Sequence, residues 1–172
     1  GISDDPLTRI AEINFGNARH NPRAQTRQWA FAEGSFGHDS ALNPSIEGRV
    51  RKLDCGQITD GAACLILASE RFAKAHSQTQ GRPLNDVPRI KGWGHRSAPI
   101  LLETKLTASK DQPLIFPHAA QTLTDARTRA GMQQITDLDG LETHDCFTIT
   151  EYMAIDHSGL TAPGASWQAI DE

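Results

Sequence analysis

Residues 141–153 read LETHDCFTITEYM and place a histidine, an aspartate and a cysteine in consecutive positions. Leu138 and Leu141, with the β-branched Thr143, predict a short strand ahead of these three residues, although apolar and polar side chains alternate imperfectly there. The strand is expected to end near His144. The three polar residues therefore stand at the carboxyl end of a predicted strand.

A helix is predicted to follow from Thr148. Thr148 precedes Glu151 by three residues, the spacing of a capping box, in which each side chain bonds a backbone N–H group at the helix start. Apolar residues then recur at helical spacing, and Gly159 can adopt the left-handed conformation that ends a helix. In α/β proteins, ligands bind in the crevice beyond the carboxyl ends of strands. Residues 144–147 are therefore a candidate reaction site.

The consecutive His144, Asp145 and Cys146 allow several kinds of chemistry. On a strand, His144 and Cys146 share one face while Asp145 points to the other, so the aspartate cannot easily orient the histidine as in a catalytic triad. A catalytic pair of Cys146 as nucleophile and His144 as base remains possible if the strand ends within the motif. The nucleophile and the base usually come from separate parts of a chain, however. A packing role also fits, with Cys146 as a small buried hydrophobe and His144 as a hydrogen-bonded polar residue.

A metal site is disfavoured by the spacing of the potential ligands. Such a site needs three or four ligands with suitable geometry, and the sequence has no CxxC or HExxH arrangement to supply them. The histidines considered are His95, His118, His144 and His157. We therefore expect no metal.

Length and charge narrow the class of protein. The 172 residues suffice for one ordinary domain or for two smaller units. With 17 lysines and arginines against 21 acidic residues, the formal charge of −4 disfavours nucleic-acid binding. No apolar run approaches the ~20 residues that a membrane span requires, and the N-terminus lacks the pattern of a secretory signal. A soluble, unexported protein is expected.

The number and spacing of the cysteines indicate the redox state of the cellular compartment. Cys55, Cys64 and Cys146 are odd in number and widely spaced, which fits free thiols in a reducing environment better than a disulfide framework. We therefore expect a cytoplasmic location. The chain begins at Gly1 without a methionine and shows no closing element at Asp171, which favours a fragment of a longer protein.

The first part of the chain predicts a helix and then an irregular region. Asp4 or Asp5 ahead of Pro6 predicts a helix start, because proline suits the first turn and an aspartate caps free N–H groups. Asn21 and the proline after it end this helix near residue 20. Residues 22–45 are rich in Gly, Asn, Ser and charged residues, and we predict a mainly irregular lid or binding loop.

The middle of the chain is predicted to form a strand and a helix, followed by a boundary between two structural units. Residues 63–68 read ACLILA, a continuous apolar run typical of a buried strand. A helix is predicted from about residue 69 to residue 76. Residues 77–88 are polar and contain two prolines and a glycine, which makes them the best candidate for a boundary.

The rest of the chain predicts alternating strands and helices. Residues 89–97, RIKGWGHRS, begin as a strand, and a helix is predicted over residues 117–130 and ended by Gly131. The strand and helix around residues 144–147 follow. The order is β-α, a boundary, and then β-α-β-α, which predicts an α/β fold with at least partly parallel strands.

Three segments together carry a resemblance to a known family. They are NPRAQ at residues 21–25, LDCGQITDGAACLILASE at residues 53–70 and LETHDCFTITEYMAIDHSGL at residues 141–160. In this order and spacing they resemble the thiolase superfamily, specifically the sterol-carrier-protein-type thiolases and their bacterial relatives. Most thiolases have Asn-Glu-Ala-Phe where this chain has His-Asp-Cys-Phe, which is typical of that branch. The resemblance covers nearly the whole chain.

The resemblance implies a thiolase-like layered αβαβα fold, of which this chain would be a partial segment. Residues 1–46 resemble the end of the thiolase loop region, which in the family covers the coenzyme A site. Residues 47–86 resemble the last strand and helix of the N-terminal half together with a linker. Residues 87–172 resemble the beginning of the C-terminal half. The boundary inferred from residues 77–88 coincides with the family's linker.

The resemblance also implies an activity, that of an acyl-CoA C-acyltransferase in lipid and fatty acid metabolism. Such enzymes cleave 3-ketoacyl-CoA with free CoA, or run the reverse Claisen condensation, with CoA thioesters as substrates and no tightly bound cofactor. The family's nucleophilic cysteine, its Gly-His-Pro histidine and its second catalytic cysteine have no counterpart here. The segment alone is therefore predicted to be inactive. The alternative is a non-catalytic homologue that binds acyl-CoA or lipid or serves as an assembly subunit.

The same resemblance assigns roles to three residues. His144 matches the family residue that helps form an oxyanion hole for the thioester carbonyl, and it is the predicted catalytic residue. Cys146 and Phe147 are predicted to line the pantetheine or acyl pocket, although packing in the core explains them equally well. Family members are commonly dimers or tetramers, so a homo-oligomer is expected for the full-length protein.

Overall fold

The computed structural model describes residues 2–38 and 41–170, and helices dominate this part of the chain. Five α-helices and one two-stranded antiparallel sheet lie within it. In chain order they are α1 (Asp5–His20), β1 (Ser45–Glu47), β2 (Val50–Arg51), α2 (Glu70–Gln80), α3 (Leu102–Ser109), α4 (Pro117–Ala130) and α5 (Thr148–Ser158). Short 3-10 turns occupy Lys52–Asp54, Leu84–Asp86, Ile135–Asp137 and Ser166–Ala169.

Local sequence signals account for the ends of several helices. The Ser69 hydroxyl accepts a hydrogen bond from the Phe72 N–H at 3.3 Å and caps the start of α2. The glycines Gly81, Gly131 and Gly159 follow α2, α4 and α5 with φ of 64°, 74° and 81°, a left-handed conformation that residues with a Cβ rarely adopt. The predicted helices at residues 5–20, 117–130 and 148–158 are confirmed, and α2 extends four residues past its predicted end.

Two predicted helix caps are wrong. Asp4 is the residue before α1, but its side chain caps no helical N–H group and instead binds the Arg49 guanidinium. At α5 the residue before the helix is Phe147, and the Thr148 hydroxyl donates to Oδ1 of Asp54 at 3.1 Å. In both cases a residue distant in the sequence binds the side chain that would otherwise cap the helix.

The predicted sheet is not found. Residues 63–68, 89–97 and 138–143 form no strand, and the layered αβαβα arrangement is not formed by the described residues. A strand needs a neighbour to bond its backbone N–H and C=O groups, and the described part of the chain offers these segments none. Leu65, Ile66 and Leu67 are accordingly 90%, 87% and 75% exposed.

The sheet that does form is a short hairpin at the edge of the region predicted to be irregular. Strand β1 pairs antiparallel with β2 across Gly48, which has a φ of 55°. Helix α3 is a further difference, because the sequence predicts no helix between residue 97 and residue 117. The domain limits at residues 46 and 86 stay predictions.

The core lies between the first and the last long helices. Ile10 of α1 and Tyr152 of α5 are buried together with Ile170, and four isoleucines and one leucine pack around them. The Tyr152 hydroxyl donates to the Gly164 carbonyl at 3.0 Å, which satisfies its polar end. Contact between α1 and α5 brings the start of the chain against the segment around His144. Among the described residues, none of the helices combines the length and apolar character of a membrane span.

Candidate functional site

Residues 144–147 lie in an irregular segment that leads directly into α5. The Gly56 N–H donates to the Cys146 carbonyl at 2.8 Å, and Cys55 forms an isolated antiparallel bridge with Phe147. A Cβ on residue 56 would stand 3.2 Å from the Cys146 carbonyl oxygen. This close approach favours glycine at position 56 and holds the candidate segment from one side.

Helix α1 holds the same segment from the other side. The Asn14 amide nitrogen donates to Oδ2 of Asp145 and to Oε2 of Glu151, both at 2.7 Å. Because a primary amide carries two N–H groups, one side chain satisfies both contacts. Oδ1 of Asp145 is buried and has no hydrogen-bond partner. The cluster of Asn14, Asp145 and Glu151 therefore joins α1, the segment before α5 and the first turn of α5.

Burial perturbs both carboxyl groups of this cluster. Desolvation raises the pKa of Asp145, while hydrogen bonds from Asn14 and Glu151 and the charge of His144 act in the opposite direction. Desolvation also raises the pKa of Glu151, the hydrogen bond from Asn14 acts in the opposite direction, and the negative charge and proximity of Asp145 raise the pKa of Glu151 further. Burial thus raises the pKa of both carboxyl groups of the cluster.

His144 is exposed, and its imidazole forms no hydrogen bond within residues 2–38 and 41–170. Its immediate neighbour Asp145 directs its carboxylate to Asn14 and Glu151, and Sγ of Cys146 lies 3.4 Å from Oγ1 of Thr150. The three consecutive residues therefore do not form a catalytic triad here. The ring nitrogens of His144 remain available to a ligand from outside this part of the chain.

Phe147 faces an apolar cavity and Cys146 does not. A cavity of about 270 Å³ lies between α1, β2 and the start of α5. Its lining consists of Ile2, Leu7, Arg49, Val50, Asp54, Phe147, Thr148 and Ile149. Phe147 is 41% exposed, Cys146 is half-buried, and neither Cys146 nor His144 borders the cavity. The structure thus places the three predicted site residues in one segment without bringing them to one pocket.

The thiols and potential metal ligands are dispersed. Cys55, Cys64 and Cys146 are free, and burial, followed by the charge of Asp54, raises the pKa of the Cys55 thiol. A raised pKa disfavours the thiolate that acts as a nucleophile. Across the described ranges, no group of three or more His, Cys, Asp or Glu side chains is arranged to hold a metal ion.

Asn14 and the partnership of Glu151 with Asp145 were missed by the sequence analysis. The signal for Asn14 is its position on α1, four residues after the buried Ile10 and therefore on the same helix face. A polar amide on a packed helix face requires hydrogen-bond partners. The identity of those partners, 131 and 137 residues away, has no local signal.

Comparison with known proteins gives several relatives of low identity. An acetyl-CoA acetyltransferase of Methanothermobacter thermautotrophicus is 28% identical over the whole chain, which spans 40% of that protein. Sterol carrier protein 2 of Gallus gallus is 24% identical over 99% of the chain and 29% of its own length. Non-specific lipid-transfer protein-like 2 of Caenorhabditis elegans is 23% identical over 99% of the chain and 39% of its own length.

The chain therefore spans two fifths or less of these relatives. No family model matches the chain, and no solved structure matches it. The similarity to an acetyl-CoA acetyltransferase and to sterol carrier and lipid-transfer proteins supports a relation to the thiolase superfamily.

Proposed function

We propose that the chain supplies the oxyanion-binding segment of a thiolase-like acyl-CoA C-acyltransferase. The observation that carries the proposal is the exposed His144, which has no hydrogen-bond partner in the described residues and stands in the motif His-Asp-Cys-Phe at the start of α5. The whole-chain similarity to a protein named acetyl-CoA acetyltransferase supports it. The substrates would be a 3-ketoacyl-CoA and free CoA, or two acyl-CoA units in the reverse direction.

His144 would act on the thioester oxygen. Claisen condensation moves negative charge onto that oxygen as the enolate forms, and an N–H donor already in place stabilises this charge more than it stabilises the ground state. Loss of such a donor costs about 3 kcal/mol in other oxyanion holes. A neutral imidazole with one N–H group toward the substrate is sufficient, so the step requires no metal.

The substrate would extend from His144 toward Phe147. The apolar cavity beside Phe147 offers a surface for an acyl chain or for pantetheine. Cys146, which contacts Thr150, would support this region from behind. The acyl-accepting nucleophile and the groups that transfer protons would come from other parts of such an enzyme, because none of the three thiols stands in a matching motif. Cytoplasmic location and homo-oligomeric assembly are further proposals.

A second candidate function is binding of acyl-CoA or lipid without catalysis. The relatives named sterol carrier protein 2 and non-specific lipid-transfer protein-like 2 favour it. The cavity beside Phe147, with its apolar lining from α1, β2 and α5, is the feature that would serve such a role. In this case His144 would contact a carbonyl group that does not react.

Turnover and binding together separate the two functions. The protein as encoded by its gene would be assayed for CoA-dependent loss of acetoacetyl-CoA, and its affinity for acetyl-CoA would be measured by calorimetry. Turnover that falls sharply in His144→Ala supports the acyltransferase. Binding without turnover supports the second candidate. Absence of both turnover and binding would rule out both functions.

A further inference from the structure

Glu151 and Asn14 surround the carboxyl group of Asp145 directly behind the candidate reaction site. Asn14 donates to both carboxyl groups at 2.7 Å and so brings the Asp145 and Glu151 side chains together. Two adjacent carboxylates repel, whereas a carboxylic acid and a carboxylate that share one proton attract. A proton retained by the pair would therefore act together with the Asn14 amide to keep the arrangement closed.

We propose that Glu151 and Asn14 are positioning residues that hold Asp145, and through it the backbone of His144, in the geometry that the oxyanion hole requires. This inference rests on the proposed function. In the described part of the chain neither side chain forms a hydrogen bond with the imidazole, so their effect would pass through the peptide bond between His144 and Asp145. Displacement of about 1 Å at a reacting group can lower a rate by about a hundredfold.

The backbone hydrogen bonds around residues 144–147 explain why the side chain of Asp145 controls the position of His144. The segment bonds to residues 55 and 56 only through Phe147 and the Cys146 carbonyl, so these contacts lie on the carboxyl side of Asp145. On the amino side, residues 138–143 form no strand. Among the described residues, the Asp145 carboxyl group is consequently the hydrogen-bonded anchor nearest to His144, and Asn14 binds it while also binding Glu151.

The charged groups that act on this pair are few. His144 lies beside Asp145 and favours its charged form. From α1 the neutral Asn14 faces the pair, and from α5 Glu151 is itself a member of it. No lysine or arginine in the described part of the chain forms an ion pair with either carboxyl group. Besides the two hydrogen bonds from Asn14, a proton retained by the pair would offset the repulsion between the two carboxylates.

Substitutions at Glu151 test the proposal through rates. Glu151→Gln keeps a donor toward Asp145 in place of the shared proton, and Glu151→Ala removes it. In the gene-encoded protein we expect Glu151→Ala to lower kcat about tenfold or more with KM changed only a few-fold. Glu151→Gln should keep kcat within about threefold and abolish the fall in kcat at high pH that deprotonation of the pair causes in the wild type. The exposed Glu142 supplies the matched control, Glu142→Gln.

Hydrogen exchange tests the same proposal without turnover. The Gly56 amide, bonded to the Cys146 carbonyl, reports whether the segment is held. Its protection factor should fall in Glu151→Ala and Asn14→Ala, and should decline with rising pH in the wild type but not in Glu151→Gln. If Glu151→Ala kept the kcat and the Gly56 protection factor of the wild type, the proposal would be overturned. Asn14→Ala gives the same test if Glu151→Ala does not fold.

The two proposals fail in different ways. If the wild-type protein shows no turnover, the proposed function is wrong. The cluster then has no catalytic role, whatever the hydrogen-exchange data show. If the wild-type protein turns over normally and neither Glu151→Ala nor Asn14→Ala changes kcat or Gly56 protection, only the positioning role is ruled out. Loss of kcat that Glu151→Gln does not restore would mean that the shared proton is not what holds the segment.

Discussion

The backbone N–H of Phe116 donates to Nε2 of His157 at 2.9 Å, and this bond ties the start of α4 to the end of α5. Nδ1 of the same ring lies 2.6 Å from the Met153 carbonyl. The pattern assigns the proton to Nδ1, so one nitrogen donates and the other accepts. His157 is only 5% exposed, and both of its nitrogens are satisfied inside the protein.

Replacement of His157 should therefore destabilise the fold. In His157→Ala the Phe116 N–H loses its acceptor and a buried ring is removed, which we expect to lower the free energy of unfolding by about 1–3 kcal/mol. Urea denaturation followed by circular dichroism measures this. His95→Ala, at an exposed histidine, should change stability by less than about 0.5 kcal/mol. Equal effects of the two substitutions would contradict the structural role.

Gly94 should not tolerate even a methyl group. A Cβ at this position would overlap the Thr122 carbonyl oxygen of α4, so Gly94→Ala forces residues 89–97 and α4 apart. We expect a loss of about 1–3 kcal/mol in unfolding free energy. A methyl group added at Gly140 would meet nothing within 4 Å, and Gly140→Ala is the control. A thermal melt of Gly94→Ala that matches the control would show that the two elements do not pack this closely.

The carboxyl cluster should make stability depend on pH. Because the pKa of Glu151 is raised above its ordinary 4.5, the folded state binds the proton more tightly than the unfolded state does. The stabilisation is complete below the unfolded-state pKa and is lost as pH rises through the folded-state pKa. We expect Glu151→Gln to show a smaller decline in unfolding free energy above about pH 4.5 than Glu142→Gln shows. Parallel curves for the two variants would argue against a retained proton.

His144 should affect rate more than binding. In the gene-encoded protein, His144→Ala is expected to lower kcat about a hundredfold or more and to leave KM for acyl-CoA within a few-fold, because the interaction strengthens as enolate charge develops. Cys146→Ser should have a mild effect. Steady-state kinetics that gave a near-normal kcat for His144→Ala and an inactive Cys146→Ser would point instead to a cysteine nucleophile.

The exposed apolar run should cause association of the isolated 172 residues. Leu65, Ile66 and Leu67 are all largely exposed, and contiguous apolar surface of this kind promotes aggregation. Light scattering should detect oligomers, and Ile66→Lys should reduce them more than Ile46→Lys, which adds the same charge at an exposed site on β1. A monodisperse, cooperatively melting monomer would contradict this expectation.

Helix positions were predictable because their signals are local. Pro6, Pro117 and the glycines after α4 and α5 act through their own backbone conformation, which hardly depends on the rest of the fold. The capping box at Thr148 failed because Asp54, far away in the sequence, offered the hydroxyl a better partner. Side-chain partners are less predictable than backbone conformation for this reason.

The sequence by itself determined the main helices, the irregular region before β1 and the motif at residues 144–147. Tertiary structure alone decided that residues 63–68 form no strand, because a strand exists only when another backbone bonds to it. It also decided the grouping of Asn14, Asp145 and Glu151, which depends on the packing of α1 against α5. Burial in that contact desolvates two carboxyl groups and raises the pKa of each. No local pattern in the sequence indicates that residues so far apart in the chain will be neighbours.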